Sequence, residues 1–319
     1  MIKIAVSGGK GFIGSHLVNY LKDRGYWVRS VDIAEHSFLE TKEDEFLQLD
    51  LRKYENVEKA VQGVDRVFNL AANMGGIGFI TKVGAEVMHD NVLINVNMLE
   101  ACKQNNIERI LFSSSACAYP TFRQTTPEVE PLKEEDVWPA DPDNFYGVEK
   151  LFTEKLMEAY RKDSGLGVRI SRQHNIYGPH GVYSTGREKA PAALCRKVAL
   201  AKDGDAITIW GDGTQTRSFL YIDDAVRALT LLMESSFEKP LNVGSDRLVT
   251  INELAQLIIA VSGKNLTVEH DLTKPVGVIG RNADLRLIRY ILGWEPKVTL
   301  EDGLARTYKW IREQVEKNA

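Results

Sequence analysis

Tyr146 and Lys150 are a pair whose residue types and spacing could do chemistry. Residues at positions i and i+4 lie on one face of a helix, so an ammonium group would stand beside a phenol. A free tyrosine has a pKa of ~10, and a nearby positive charge favours the phenolate and should lower that pKa. Such a tyrosine could take a proton from an alcohol while a hydride leaves the same carbon. The spacing also occurs on ordinary solvent-exposed helices, so the pair needs a second observation.

The run Ser113-Ser114-Ser115 supplies that observation. We predict that these serines end a strand, and the carboxyl ends of parallel strands are where ligands bind. A hydroxyl at this edge could hold the substrate oxygen beside Tyr146. The sequence therefore predicts a catalytic group of Tyr146, Lys150 and Ser115.

The segment from Gly8 to Gly14, with the sequence GGKGFIG, is typical of a dinucleotide-binding turn. Its glycines would allow a tight turn and a close approach to a pyrophosphate, and the following helix would offer free N–H groups. A plain turn is the alternative, but a strand is predicted before the segment and a helix after it. We expect contacts to a dinucleotide from Gly8, Gly11, Phe12, Ile13 and Gly14. An oxidised nicotinamide ring is cationic and would also favour the phenolate of the tyrosine.

Asp32, at the end of the second predicted strand, favours NAD over NADP. A carboxylate there accepts hydrogen bonds from the ribose 2′-OH and repels a 2′-phosphate, and no arginine follows it directly. We expect Asp50 to contact the adenine, although a capping role is as good an interpretation. Leu70 and Ala72 follow the fourth predicted strand and leave room for the cofactor to lie flat.

The elements that must position these residues alternate between strands and helices. Short apolar runs predict strands near 2–7, 27–32, 45–50, 65–72, 109–115 and 167–173. Amphipathic patterns predict helices near 12–24, 54–62, 84–105 and 145–163. This alternation indicates an α/β fold with a doubly wound parallel sheet of the Rossmann type.

The alternation of strands and helices stops after residue 173, where a long segment with a basic stretch runs to residue 205. The patterns that follow predict strands at 206–210 and 218–222 and helices at 223–234 and 300–317. Another helix is predicted to begin at a Thr250–Glu253 capping box and to end at Gly263. We predict a cofactor-binding domain of residues 1–173 plus about 218–242. A smaller, interleaved α/β domain of residues 174–217 and 243–319 would bind the substrate.

Composition and charge exclude several classes of protein. The chain has 319 residues, 44% hydrophobic and 26% charged, so it is an ordinary globular protein of about two structural units. A net charge of −4 argues against nucleic acid as a partner, and no apolar run approaches a membrane span. The three cysteines lack metal-ligand spacing, so we expect no metal site and no disulfide framework. Because a strand pattern begins near Met1, we expect no leader peptide and a cytoplasmic location.

The order of these motifs resembles the extended short-chain dehydrogenase/reductase family over the entire chain. The residues that carry the resemblance are the glycine turn, Asp32, the strand-end serines, Tyr146 with Lys150, and the segments 172–179 and 242–245. The resemblance implies NAD(P)-dependent chemistry on nucleotide-linked sugars, with a smaller C-terminal substrate domain.

Five longer stretches are similar to members of this family that epimerise C3 and C5 of GDP-mannose: 74–79, 114–120, 136–140, 186–193 and 210–219. The resemblance implies a transient 4-keto intermediate and GDP-L-galactose or GDP-L-gulose as product. It assigns the acid/base pair to Cys117 and Lys189, where a thiol with a pKa of ~8.5 and a lysine whose pKa burial lowers would suit proton transfer. Judged alone, Cys117 would be a small buried residue and Lys189 a surface residue. Asn73 departs from the aspartate that the resemblance leads us to expect.

Three other functions remain open. A dehydratase would be expected to carry Asp-Glu in the slot that Ala116-Cys117 fills, and a simple 4-epimerase would need no acid/base pair at C5. A catalytically silent NAD-sensing regulator is disfavoured because the tyrosine and the lysine are both present.

The nucleotide sugar should meet a group of polar residues in the second half of the chain and in one loop of the first. We expect the substrate-binding residues to be Gly75, Gly76, Asn175, Glu188, Lys189, Lys197, Gln215, Arg217 and Arg281. The cations among them, with Arg196, suit a diphosphate, whereas His174 is expected to be structural. The apolar residues that predict a homodimer through helices 84–105 and 145–163 are Val92, Ile94, Val96, Leu99, Leu151, Leu156 and Met157.

Overall fold

The first half of the chain builds a parallel sheet in the computed structural model, which describes residues 1–318. Its strands are β1 (Lys3–Ser7), β2 (Trp27–Asp32), β3 (Glu45–Gln48), β4 (Arg66–Asn69), β5 (Arg109–Ser115) and β6 (Gly167–Gln173). The later strands are β7 (Ile176–Tyr177), β8 (Ala206–Trp210), β9 (Thr216–Ser218), β10 (Leu220–Tyr221), β11 (Pro240–Val243), β12 (Leu248–Thr250), β13 (Thr267–Asp271) and β14 (Gly280–Arg281). The main sheet has seven strands in the order β11-β6-β5-β4-β1-β2-β3, and every pair in it is parallel. The doubly wound fold is therefore confirmed.

Helices cover the sheet and fill the second half of the chain. They are α1 (Phe12–Lys22), α2 (Tyr54–Val61), α3 (Ile77–Ile80), α4 (Gly84–Gln104), α5 (Phe145–Ser164), α6 (Ala190–Leu200), α7 (Ile222–Glu234), α8 (Ile251–Ser262), α9 (Arg286–Leu292) and α10 (Leu300–Lys317). Single turns of 3₁₀ helix lie at Ala116–Ala118, Thr121–Arg123 and Glu134–Val137. The capping box at the start of α8 is confirmed, with reciprocal hydrogen bonds between Thr250 and Glu253.

The central strands are buried on both faces. Ile4 and Val6 of β1 join one hydrophobic cluster, while Ala5 between them joins the other. Burial on alternate sides is what makes these strands read as continuous apolar runs in the sequence. It also explains why their bounds could be predicted closely.

The second half of the chain contains elements that were not predicted, among them the short strands β7, β12, β13 and β14 and helix α9. The basic stretch contains a helix, α6, that was not predicted, with Pro191 in its first turn. The predicted strand 218–222 is two short strands, β9 and β10, and α7 already begins at Ile222. Strand β11 extends the main sheet beside β6. The proposed division into domains stays a prediction.

None of the helices formed by residues 1–318 is long and apolar enough to cross a membrane.

Candidate active site

The predicted site residues meet at the carboxyl edge of the main sheet. Because all strands run the same way, Ser7, Asp32, Asn69 and Ser115 end their strands at one edge. Ligands bind outside this edge in doubly wound sheets.

The glycine turn between β1 and α1 fits a dinucleotide. Gly8 has a φ of +70°, and a Cβ at Gly14 would lie 2.0 Å from the Gly8 carbonyl oxygen. Helix α1 follows at once, and its N-cap residue Gly11 makes no side-chain cap. The first helical N–H groups, from Phe12 to Gly14, are thus available for a pyrophosphate. The ring of Phe12 and the side chain of Ile13 pack against the larger core cluster.

The adenosine end of the proposed cofactor site is built around Asp32. Its carboxylate accepts backbone hydrogen bonds from Lys10 and Ala34, each 2.9 Å long, which fixes the carboxylate at the end of β2. Asp50 pairs instead with Arg52 at 2.9 Å, a contact that fits its alternative role in the turn. The backbone N–H of Leu70 bonds to Ser7, and Ala72 follows in the loop after β4. The adenine contact of Asp50 stays a prediction.

Tyr146 and Lys150 lie in the first two turns of α5 and are both buried. The Lys150 Nζ atom is 5.1 Å from the centre of the Tyr146 ring and 4.7 Å from that of Phe112. The expectation that the ammonium lowers the pKa of Tyr146 is wrong for the protein without its cofactor. Burial raises that pKa, the charges of Glu149 and Cys117 raise it further, and a hydrogen bond from Ser115 opposes them.

Glu149 is a member of this group that sequence reasoning missed. Its side chain is fully buried, and its Oε1 atom lies 2.9 Å from Asn91 Nδ2 and 3.4 Å from Lys150 Nζ. Its Oε2 atom has no hydrogen-bond partner among the described residues. Burial raises the pKa of Glu149. A glutamate within a polar helix turn carries no signal of burial, so spacing could not have found it.

Cys117 stands on the 3₁₀ turn that follows β5. The Ser115 hydroxyl caps this turn by accepting the Cys117 N–H at 3.1 Å. The first turn of α5 approaches closely here, since a Cβ at Gly147 would lie 2.1 Å from the Cys117 carbonyl oxygen. The close approach brings Ser115 and Cys117 beside Tyr146.

Arg281, which was predicted to bind a diphosphate, forms a hydrogen bond with Cys117. Its Nη1 atom donates to the Cys117 sulfur at 3.3 Å, its Nη2 to Asp143 at 3.3 Å and its Nε to Gln124 at 2.5 Å. Only 6% of the residue is exposed. Burial and the neighbouring Arg281 lower the pKa of Arg217 to about 10. The guanidinium groups of Arg217 and Arg281 therefore both lie near the Cys117 thiol. The sequence did not predict this arrangement, because these residues are far apart along the chain.

Lys189 is the N-cap residue of α6, and its side chain is exposed although protein atoms crowd around it. This desolvation lowers the pKa of Lys189, and the charge of Cys117 acts in the opposite direction. The direction is the expected one, but the side chain is exposed and not buried, so the role of Lys189 stays a prediction.

The loop that carries Gly75 and Gly76 forms one wall of the cleft beside Lys189. The Gly76 N–H donates to the Arg187 carbonyl at 2.9 Å, and the Arg187 side chain donates to Asn73 at 3.2 Å. Glu188 accepts the N–H of Gly186 within the same segment.

The other predicted substrate residues donate side-chain hydrogen bonds to backbone carbonyls. Lys197 donates to the Thr208 carbonyl, Gln215 to the Trp210 carbonyl and Asn175 to the Ser218 carbonyl. The Gln215 Oε1 atom is buried without a partner among residues 1–318. His174 is fully buried against Asn242, and burial lowers its pKa to about 3, which supports the structural role.

Comparisons with known proteins agree with this geometry. Residues 4–244 match the model of the NAD dependent epimerase/dehydratase family. The chain is 47% identical to GDP-mannose 3,5-epimerase of Arabidopsis thaliana, over 99% of this chain and 84% of that protein. It is 31% identical to GDP-L-fucose synthase of Escherichia coli, over 99% of this chain and 98% of that protein.

The fold is also similar to solved structures of UDP-glucose 4-epimerases. The protein from Thermotoga maritima, solved with UDP-glucose, superposes with a TM-score of 0.88 at 28% identity, over 98% of this chain and all of that one. The protein from Thermus thermophilus, solved with NAD, gives a TM-score of 0.83 at 27% identity, covering 98% and 99%.

Proposed function

The chain belongs to the NAD dependent epimerase/dehydratase family and is an NAD-dependent epimerase, and from this premise we propose that its substrate is GDP-mannose. The sugar is epimerised at C3, C5 or both through a transient 4-keto intermediate, with GDP-L-galactose or GDP-L-gulose as product. The observation that supports the proposal is that Cys117 lies near both Tyr146 and Lys189, since its charge raises the pKa of each. The similarity to proteins named GDP-mannose 3,5-epimerase supports the choice of sugar and base.

Oxidation at C4 depends on Tyr146, Lys150 and Ser115. The glycine turn and Asp32 would hold NAD, which would supply a hydride acceptor for C4. The phenolate of Tyr146 takes the proton of the 4-hydroxyl, and the buried Lys150 ammonium stabilises that phenolate. Ser115, at the end of β5, holds the same oxygen. The raised pKa of Tyr146 in the free protein means that substrate and cofactor must complete the charge balance.

Proton exchange at C3 and C5 depends on the second pair. A ketone at C4 makes both neighbouring C–H groups acidic, because the resulting enolate spreads its charge onto oxygen. The cation of Arg281 stabilises negative charge on the Cys117 sulfur, so the thiolate is the base. Lys189 is the acid, and the desolvation that lowers its pKa eases release of its proton. Each inversion requires removal from one face and return to the other.

The diphosphate lies toward the cationic side chains of Arg217 on β9 and Lys197 on α6. Burial lowers the pKa of both, which favours an anionic partner there. Arg281 is already bonded to three side chains, so its remaining N–H groups must serve the sugar end or the nearer phosphate. Asn175 faces the sugar.

Deuterium exchange tests the proposal. GDP-mannose incubated with the protein in deuterated buffer should gain deuterium at C3, C5 or both, as read by mass spectrometry and NMR, and should yield a new epimer. Tyr146→Phe should stop exchange and epimerisation together, because no ketone forms. Cys117→Ala should still reduce some bound NAD, with epimer formation slower by about 10²–10⁴-fold. Cys102→Ala, which removes a buried thiol of α4 outside the site, is the matched control and should exchange normally.

Other outcomes would redirect the assignment. Inversion at C4 without deuterium at C3 or C5 would indicate a 4-epimerase, and loss of water would indicate a dehydratase. NAD binding without turnover of any sugar in a panel of nucleotide sugars would indicate a regulatory protein. Near wild-type exchange by Cys117→Ala would make Cys117 a packing residue and remove the chemical basis of the proposal.

A homodimer through α4 and α5 is part of the proposal, but its residues differ from those first expected. Ile94, Leu99, Leu151 and Met157 are buried inside the subunit, because α4 and α5 pack on the sheet and on each other. The large apolar side chains that these helices leave exposed are Phe145, at the very start of α5, and Leu93, Val96, Val148 and Phe152 along the helices. A second copy of the chain would cover them.

Sedimentation tests the dimer. Phe152, with 46% of its surface exposed, is the best single position, and Phe152→Lys should halve the sedimenting mass at micromolar concentration without loss of fold. A wild-type mass equal to one chain would reject the dimer.

We also place the protein in the cytoplasm, since Cys102, Cys117 and Cys195 are all unpaired, as in a reducing compartment.

A further inference from the structure

Lys10, the non-glycine residue in the middle of the glycine turn, does not point into solvent. Its Nζ atom forms an ion pair with Glu43 at 2.5 Å and donates to the Thr41 hydroxyl at 2.7 Å. Both acceptors lie in the segment that joins β2 to β3. The ammonium also sits 4.5 Å from the centre of the Phe46 ring. The lysine side chain thus has three contacts, one with β3 and two with a joining segment that has no other part in the proposed chemistry.

This ion pair is unusually well covered for a loop. The side chains of Lys10 and Glu43 are only 12% and 9% exposed. The Glu43 Oε2 atom is buried and lacks a hydrogen-bond partner among the described residues. Burial opposes ionisation, but hydrogen bonds from Lys10 and Thr41 outweigh it and lower the pKa of Glu43. Glu43 is therefore a carboxylate at neutral pH, and it neutralises the lysine.

The pair is coupled directly to the residue that faces the ribose. The backbone N–H of Lys10 donates to Asp32 Oδ2 at 2.9 Å, so the turn, the lysine and the aspartate form one unit. A 2′-phosphate would have to stand beside Asp32. Near that phosphate the unit has two carboxylates, those of Asp32 and Glu43, and one ammonium, that of Lys10, which is already paired with Glu43. The joining segment, residues 33–44, adds to the negative field, since its charged residues other than His36 are Glu35, Glu40, Lys42, Glu43 and Asp44.

We infer that Glu43 is a specificity-determining residue for the cofactor, acting by sequestering the Lys10 ammonium so that it cannot pair with a 2′-phosphate. Asp32 alone excludes the phosphate by repulsion, but a free lysine at this position would attract it. The ion pair removes that attraction and leaves a net negative charge. Discrimination against NADP thus has two parts, a repelling carboxylate and a neutralised cation.

Nucleotide binding tests the inference without any sugar substrate, so its failure is distinct from failure of the proposed function. Dissociation constants for NAD and NADP would be measured by titration calorimetry on protein stripped of nucleotide. Glu43→Gln, which keeps the size of the side chain, should raise the affinity for NADP relative to NAD on the order of tenfold. Lys10→Gln should change the ratio in the opposite direction, because it leaves the Glu43 charge unpaired. The two variants oppose each other in sign, so either one alone tests the inference.

A double variant and a charge-matched control complete the design. Glu43→Gln with Lys10→Gln should lose the gain in NADP affinity, because the freed ammonium is no longer there. Glu40→Gln removes the same charge from the same segment but is exposed and forms no ion pair within residues 1–318, so its ratio should match that of the wild type. The inference is overturned by an unchanged ratio in Glu43→Gln, by a gain that persists in the double variant, or by an equal gain in Glu40→Gln. If Glu43→Gln fails to bind NAD, a rise in relative NADP affinity of Lys10→Gln overturns it.

Discussion

Replacing Glu154 with glutamine should loosen the catalytic helix from the sheet beneath it. Glu154 lies on α5, one turn beyond Lys150, and Arg172 lies on β6. Both side chains are 2% exposed, and they form a two-pronged ion pair with distances of 2.7 and 2.9 Å. Ser114 of β5 donates to the same carboxylate at 2.5 Å. One buried carboxylate therefore joins α5 to the two strands whose ends carry the proposed site.

The magnitude follows from leaving the arginine unpaired. The charge of Glu154 raises the pKa of Arg172 against the effect of burial, and its loss leaves a buried cation because arginine does not deprotonate in proteins. Breaking such a buried pair costs about 3–5 kcal/mol. An unfolding entropy of ~2.1 cal/mol/K per residue gives about 0.7 kcal/mol/K for 319 residues, so Tm should fall by about 4–8 °C. Displacement of α5 should also lower kcat, because Tyr146 and Ser115 would no longer meet.

Thermal unfolding followed by circular dichroism measures the loss, with Glu158→Gln as control. Glu158 is on the same helix and pairs with Lys155, but both are more than half exposed, so its loss should cost under about 1 kcal/mol. Glu154→Leu combined with Arg172→Met should regain most of the stability, since apolar residues can replace a buried pair. The reasoning fails if Glu154→Gln shifts Tm no more than the control does, or if the double variant is less stable than Glu154→Gln.

Two further predictions concern the site itself. The Cys117 charge raises the pKa of Lys189, so Cys117→Ser should let that pKa fall. In a pH profile of deuterium exchange, the loss of residual exchange at alkaline pH should therefore begin at a lower pH than in the wild type. An alkaline limb at the wild-type position would contradict this prediction. Gly14→Ala would place a Cβ 2.0 Å from the Gly8 carbonyl and distort the turn, so the purified variant should have lost its NAD by chromatography of the heat-denatured supernatant. Gly25→Ala, whose Cβ would meet nothing within 4 Å, should keep its NAD, and NAD retained at wild-type level by Gly14→Ala would contradict the role of the turn.

Local pattern was enough to predict the fold and the parts of the site that depend on local geometry. The strands from β1 to β6 are buried on both faces, and that burial imposes apolar runs that are visible in the sequence. The glycine turn needs residues without a Cβ, and a helix brings positions 146 and 150 to one face. The capping box of α8 likewise depends on residues three apart. In each case the physical constraint acts over a few residues, so it leaves a signature that can be read.

Only the tertiary structure decided which distant groups share an environment. Arg281 reaches Cys117 from the far end of the chain, and Glu149 is buried beside Lys150 although its helix turn looks polar. The same holds for the exposed set on α4 and α5, since packing of the two helices selects which apolar residues are hidden. The pKa of Tyr146 rises because burial outweighs a single nearby ammonium, and burial is a property of the whole fold. Electrostatics depends on every charge within several ångströms in space, whereas a sequence lists only neighbours along the chain.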